Sequence, residues 1–141
     1  MVQGGREAEA RNHAPFPFDP VSIDFVLLTH AHIDHSGLLP KLVRHAFEGP
    51  IHTVSATRDL QEAMLRDSAH IEEADSERAA RRRAKQRKPP QLEEAAVYGM
   101  PDAEQAFPHV RPTPYDQRVE SHPQVKCIFR DAGHILGSAW S

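Results

Sequence analysis

Cysteine is nearly absent. Cys127 stands alone, so no disulfide can form within the chain and a cysteine-rich zinc finger is excluded. A reducing compartment fits that usage. No apolar run approaches the roughly 20 residues that span a bilayer. The opening stretch, residues 1–12, is polar and carries no apolar signal region. A cytoplasmic protein with no membrane partner is the expectation. Neither sign of charge dominates: 17 basic and 20 acidic side chains leave a net charge of -3. Nothing global pulls the chain toward nucleic acid, so any basic surface must be local. With 141 residues, 39% of them hydrophobic, one domain at most is expected.

Proline and apolar spacing set the coarse organisation. Residues 1–20 read as loop, from Gln3, Gly4 and Gly5 through Pro15, Pro17 and Pro20. Phe25 to Thr29 is a short apolar run that predicts a strand buried on both faces, as in an α/β layer structure. Ser36 and Gly37 open a predicted helix whose Leu38, Leu39, Leu42, Val43 and Phe47 recur at helical spacing; Gly49 and Pro50 stop it. Ile51 to Val54 predicts the next strand. A long helix comes after it, with Thr57 as its N-cap and a stripe of Leu60, Met64, Ser68 and Ile71. Asp102 to Phe107 is a short helical candidate. Val125 to Phe129 predicts a strand that runs into Asp131 and His134.

What the chain has in abundance is histidine, ten residues of it, with His30, His32 and His35 close together. They fall just after the predicted strand, in the pattern H-x-H-x-D-H. His30 and His32 alternate around Ala31, so both imidazoles can face one ion. Asp34 and His35 come from the next turn and can face a second ion beside the first. A nitrogen and oxygen donor set without thiolate suits zinc, with manganese or iron as other candidates. Two ions about 3.5–4 Å apart can hold a bridging hydroxide and clamp the attacking and leaving oxygens of a phosphodiester. A chance grouping in a polar loop is the bland alternative, and it would win for a lone histidine. His134 is the best remaining ligand candidate: it also follows a strand, between Gly133 and Ile135, in the run G-H-I-L-G-S-A.

The run T-H-A-H-I-D-H-S-G, residues 29–37, resembles the signature motif of the metallo-β-lactamase superfamily. The run G-H-I-L-G-S-A, residues 133–139, resembles the next metal motif of its β-CASP branch, the nucleic-acid-processing nucleases of the ribonuclease J and cleavage-and-polyadenylation type. Ser55, Thr57, Asp59 and Leu60 also resemble that branch. The resemblance implies an α/β fold, part of the αββα sandwich. It implies that His30, His32 and His134 bind one zinc while Asp34 and His35 bind the second, with Asp34 also positioning or deprotonating the bridging water. It implies hydrolysis of RNA phosphodiesters, with RNA or single-stranded DNA as the partner and a homodimer in the full-length protein. The family's early acidic strand has no counterpart before Val21. Its later bridging aspartate, further histidine and β-CASP domain would fall after Ser141. Residues 1–141 are therefore expected to be the N-terminal part of a catalytic domain, truncated at both ends and inactive alone.

Two rival functions share the H-x-H-x-D-H loop: a thioester or lactam hydrolase of the same superfamily, and an inactive metal-binding subunit of a nuclease complex. The five intact ligand positions argue against the second. The basic run from Arg78 to Lys88 either contacts phosphates or is a solvated helix end paired with the acids of Glu72 to Glu77, and the adjacent acids favour pairing. Asp67, Ser68 and His70 are expected on the helix surface or behind the centre. Cys127, alternating with Val125 and Phe129, is expected to be packed.

Overall fold

The computed structural model describes residues 1–2 and 4–141, apart from the side chains of Arg6, Glu93 and Ser121. The loop expected at Gln3 lies outside the described residues. The first helix corrects the loop reading of residues 1–20: α1 spans Arg6–His13. It ends before Pro15, so no proline lies within it to forbid helix. Ala8 and Asn12 are buried one turn apart, and Arg11 pairs with Glu7 at 2.7 Å. Lys41, only 4% exposed, reaches the end of this helix and donates to the carbonyls of Asn12 and Ala14 at 2.7 and 2.6 Å. A cation there complements the helix dipole, and its ammonium lies over the Phe16 ring.

A three-stranded parallel sheet carries the centre of the molecule. Strand β1 (Val26–Leu27) pairs with β2 (Ile51–Thr53), and β2 pairs with β3 (Val110–Pro112). The predicted first strand is shorter than its apolar run because only two residues find sheet partners. Even so, the Leu28 N–H donates to the His52 carbonyl and the Leu28 carbonyl accepts from Thr53 Oγ1 at 2.8 Å, so the chain stays extended beside β2. Val26 and Leu27 are half-buried and Leu28 is buried. The unforeseen β3 is an edge strand, where Pro112 costs no ladder bond.

The helix expected after Ser36 is two helices, α2 (Ile33–Ser36) and α3 (Leu39–Arg44). A continuous helix would need a Pro40 N–H to reach the Ser36 carbonyl, and proline has none. Pro40 instead sits in the first turn of α3, where that donor is not needed. Leu39, Leu42 and Phe47 then close over Leu28, Ile51 and Val110 to form the first core cluster.

Helix α4 (Ser55–Lys85) is the longest element. At 1.5 Å per residue it extends roughly 46 Å. Its N-cap is Val54, so Thr57 lies inside the first turn and is not the cap the sequence suggested. The buried row is Thr57, Gln61, Leu65 and Ala69, one position round from the expected stripe, and Ile71 is 51% exposed. The small Ala69 lets α5 (Met100–Ala106) and its approach come close, so that Leu65 and Ala69 pack with Val97, Tyr98 and Ala103. Two antiparallel ribbons come last, β4 (Arg118–His122) with β5 (Val125–Ile128) and β6 (Arg130–Asp131) with β7 (Ala139–Trp140). Val54, Val119, Phe129 and Ala139 form the core beneath them, with Cys127 half-buried against it. Burial pushes the Cys127 thiol pKa up, which suits packing. The mixed helix and strand architecture agrees with the expected partial metallo-β-lactamase α/β fold. Among the described residues no helix is long and apolar enough to cross a membrane.

His52, in the middle strand, has neither ring nitrogen hydrogen-bonded among the described residues. Burial, and then the nearby Arg111, lower its pKa below the ordinary histidine value. As pH falls through about 6.5 the unfolded chain takes up a proton that the folded one refuses, and stability is lost until the folded pKa is passed. Denaturant unfolding in chelator at pH about 7.5 and about 5.5 should show a smaller acid loss for His52→Leu than for wild type. Equal losses would mean that His52 protonates freely in the fold.

Candidate metal centre

The centre is assembled from three pieces of chain. The first is the loop after β1, which carries His30, Ala31 and His32. Ser36 holds it from below: its hydroxyl donates to the Ala31 carbonyl at 2.8 Å and the His32 carbonyl at 3.1 Å. The second is α2, which presents Asp34 and His35. The third is the turn between β6 and β7, which presents His134. That turn is heavily constrained. Ser138 Oγ accepts from the N–H groups of His134 and Ile135 at 3.0 and 3.1 Å, and the Gly133 N–H donates to Asp131 at 2.8 Å. The Tyr115 hydroxyl donates to the Ser138 carbonyl at 2.9 Å. Burial, and then Asp131, hold the Tyr115 pKa above that of an ordinary phenol, so it keeps this proton.

Two bonds dock the turn onto the rest of the fold. The Ala139 N–H donates to the Thr29 carbonyl at 2.8 Å, beside His30. Thr57, buried in the first turn of α4, donates through Oγ1 to the Gly137 carbonyl at 2.6 Å. Gly137 has φ +79°, and a Cβ there would stand 2.6 Å from the Thr57 nitrogen. Only glycine fits that approach.

As a result the ring nitrogens offered by His30, His32 and His134 lie within 4.8 Å of one another. The His30 and His134 rings meet edge to face at 5.1 Å, and His32 and His134 do the same. His35 also lies against His30, with ring centroids 4.1 Å apart. Its Nε2 is 3.6 Å from Asp34 Oδ2, and both side chains are about half exposed. All five candidate ligands from the sequence are thus brought to one place, with three in a tight cluster and two beside it. Thr29 Oγ1 sits 3.0 Å from His30 Nδ1, which leaves Nε2 open. Burial first, then His35, His32 and His134, lower the His30 pKa, while Asp34 pulls the other way. A neutral imidazole keeps the lone pair that an ion needs. Three imidazoles flanked by a carboxylate and a fourth imidazole fit a borderline-soft divalent ion such as zinc.

The positioning roles of Thr29, Thr57, Tyr115 and Ser138 escaped sequence reasoning. Ser138 had a signal, since it lies inside the motif-like run around His134. Tyr115 had none. Asp67 and His70 are exposed on α4 and Ser68 is half-buried, as expected for surface or supporting positions.

Comparison with known proteins assigns the family. The model of the metallo-beta-lactamase superfamily matches residues 5–129. The chain belongs to the metallo-beta-lactamase superfamily. The matched segment contains His30 to His35, and His134 lies just beyond it. Ribonuclease TTHA0252 of Thermus thermophilus is 39% identical over 140 residues, covering 99% of this chain and 27% of that protein. Transcription termination factor FttA of Methanococcus maripaludis is 31% identical over 145 residues, covering 99% and 20%. FttA of Methanosarcina mazei is 35% identical over 129 residues, covering 92% and 18%. The chain therefore spans about a quarter or less of the length of these superfamily relatives. A metal cofactor is what this superfamily and the histidine cluster together imply.

The docking bonds can be tested by mutation. Thr57→Val keeps the shape but leaves the Gly137 carbonyl without its donor, which should cost about 1–3 kcal/mol in denaturant unfolding. It should also weaken zinc binding about tenfold in a competition titration with a chromogenic chelator, although Thr57 is no ligand. Unchanged zinc affinity would show that Thr57 does not position His134.

Proposed function

We propose that the protein is a metal-dependent hydrolase that cleaves RNA phosphodiesters at the His30, His32 and His134 cluster. The observation that carries this reading is the convergence of imidazoles from two remote loops, locked by the Ala139 to Thr29 hydrogen bond. Family membership supports hydrolysis. The names of the relatives, a ribonuclease and a transcription termination factor, support RNA as the substrate class. Residues 1–141 would contribute one part of the catalytic domain, and a cytoplasmic location would follow from an RNA substrate.

In this reading His30, His32 and His134 would hold one zinc ion, and Asp34 and His35 would hold a second, with manganese or iron as substitutes. Bound there, ions of this kind supply Lewis acidity and a nucleophile at neutral pH. The chain's own residues do the rest. Thr29 orients His30 through Nδ1, and Ser36 fixes the backbone that aims His32. Ser138 and Thr57 hold the turn that aims His134. Asp34, half exposed and next to the cluster, orients the attacking water and takes its proton. Water oxygen bonds to phosphorus, the bond to the leaving oxygen breaks, and the proton that Asp34 took from the water passes to that oxygen.

Elemental analysis of the purified protein and its His32→Ala variant tests the centre. Wild type should carry zinc, manganese or iron and the variant should lose most of it. RNA cleavage by the full-length protein should fall roughly a thousandfold in the variant. A folded, metal-free wild type would overturn the centre. A metal-loaded protein that hydrolyses a thioester but no RNA would overturn the substrate.

A further inference from the structure

The far end of α4 takes no part in the centre, yet it concentrates positive charge. Arg78, Arg81, Arg82 and Lys85 follow the spacing i, i+3, i+4, i+7, which puts them on one stripe of the helix. With Gln86 they line a shallow groove. Arg87 and Lys88 come next. Part of this charge is neutralised, as the adjacent acids suggested: Arg78 pairs with Asp75 at 2.8 Å, Arg81 with Glu77 at 3.0 Å and Arg82 with Glu94 at 2.7 Å. Among the described residues no carboxylate pairs with Lys85, Arg87 or Lys88.

Arg87 holds φ at +52°, the left-handed conformation that glycine favours just past a helix end. The Lys88 N–H then donates to the Arg83 carbonyl at 3.0 Å and closes the helix. A cation therefore stands where glycine would sit with less strain.

We propose that this basic tip binds the phosphate backbone of RNA at a distance from the cleavage centre. The proposal rests on the ribonuclease reading above and extends it to how the substrate is held. Arginine-rich surfaces match phosphate through their planar donor forks. The stripe from Arg78 to Lys85 rises roughly 10 Å along the axis, the span of about three stacked phosphates. The helix also leads away from the centre. Ser68 shares a groove with Ile33, the neighbour of His32, and Lys85 lies 17 residues further along α4, or about 26 Å. A stacked strand covers that distance in roughly eight nucleotides. Long RNA reaches the tip, and short RNA at the centre does not.

Fluorescence anisotropy in chelator, which prevents cleavage, compares wild-type protein with the triple variant Lys85→Gln, Arg87→Gly and Lys88→Gln. For an RNA of about 20 nucleotides the variant should bind about tenfold more weakly, and its log–log salt slope should be shallower by about 2, at roughly 0.7 for each phosphate no longer neutralised. An RNA of about 4 nucleotides, too short to span the centre and the tip at once, should lose less affinity in the variant than the long RNA does. The variant's melting temperature should be equal or higher, because Arg87→Gly relieves the positive φ. Unchanged affinity and slope for the long RNA would overturn the basic tip while leaving the ribonuclease reading intact. A wild type that binds neither RNA would overturn the basic tip, and RNA cleavage by the metal-loaded full-length protein would then decide the ribonuclease reading separately. Binding to anionic lipid vesicles that is lost in the variant, with RNA binding unaltered, would overturn the proposal in favour of a membrane surface.

Discussion

The hydrogen bond from the Ala139 N–H to the Thr29 carbonyl joins β7 to the end of the first strand's run. The place of His134 in the centre depends on that junction. His30 follows Thr29 directly, and His134 lies in the turn that ends at Ala139. Without this bond and its companion from Thr57 to Gly137, His134 would ride on an exposed ribbon. The bond is modest in net energy, roughly 1 kcal/mol, but its buried groups would be costly to leave unpaired. Geometry is what it contributes: it sets where a remote imidazole stands relative to two local ones.

Helix α4 links this junction to the rest of the molecule. Its first turn holds the His134 turn through Thr57. Its middle packs Leu65 and Ala69 against α5 and Tyr98. Its far end carries ion-paired arginines into solvent. The inward face is polar or small where it meets the centre and apolar where it meets the core. That change of character explains why the buried row does not follow the largest side chains. Thr57 faces inward, where its hydroxyl meets the Gly137 carbonyl, and Ile71 faces outward because the helical turn carries it off the row that Ala69 and Ala79 occupy.

Electrostatics in the centre favour the neutral state of His30. It is nearly buried and surrounded by three other imidazoles, so protonating it is unfavourable on two counts. The same crowding that penalises protons favours a shared divalent ion. Asp34 is the carboxylate beside it, placed at the exposed rim where it can meet both an ion and a water.

Much of this was legible in the chain itself. The H-x-H-x-D-H spacing puts His30, His32, Asp34 and His35 close together whatever the fold, because local geometry needs no distant partner. Val26 to Leu28, Ile51 to Thr53 and the existence of a long helix after them follow from local apolar runs and spacing, but the buried row of that helix and its charged continuation to Lys85 do not. Local pattern could not reveal anything decided by a contact between remote segments. The split at Pro40 was readable in principle, since proline's missing donor is a local fact. The edge strand Val110–Pro112 was not, because its only reason to be extended is β2 alongside it. The inward turn of Thr57 and the role of Tyr115 belong to the same class, whereas Ser138 lies within the run around His134. Which side chains are able to ligate an ion is written in residue types and local spacing. That His134 stands among them is a property of the fold, because it depends on hydrogen bonds between segments far apart in the chain.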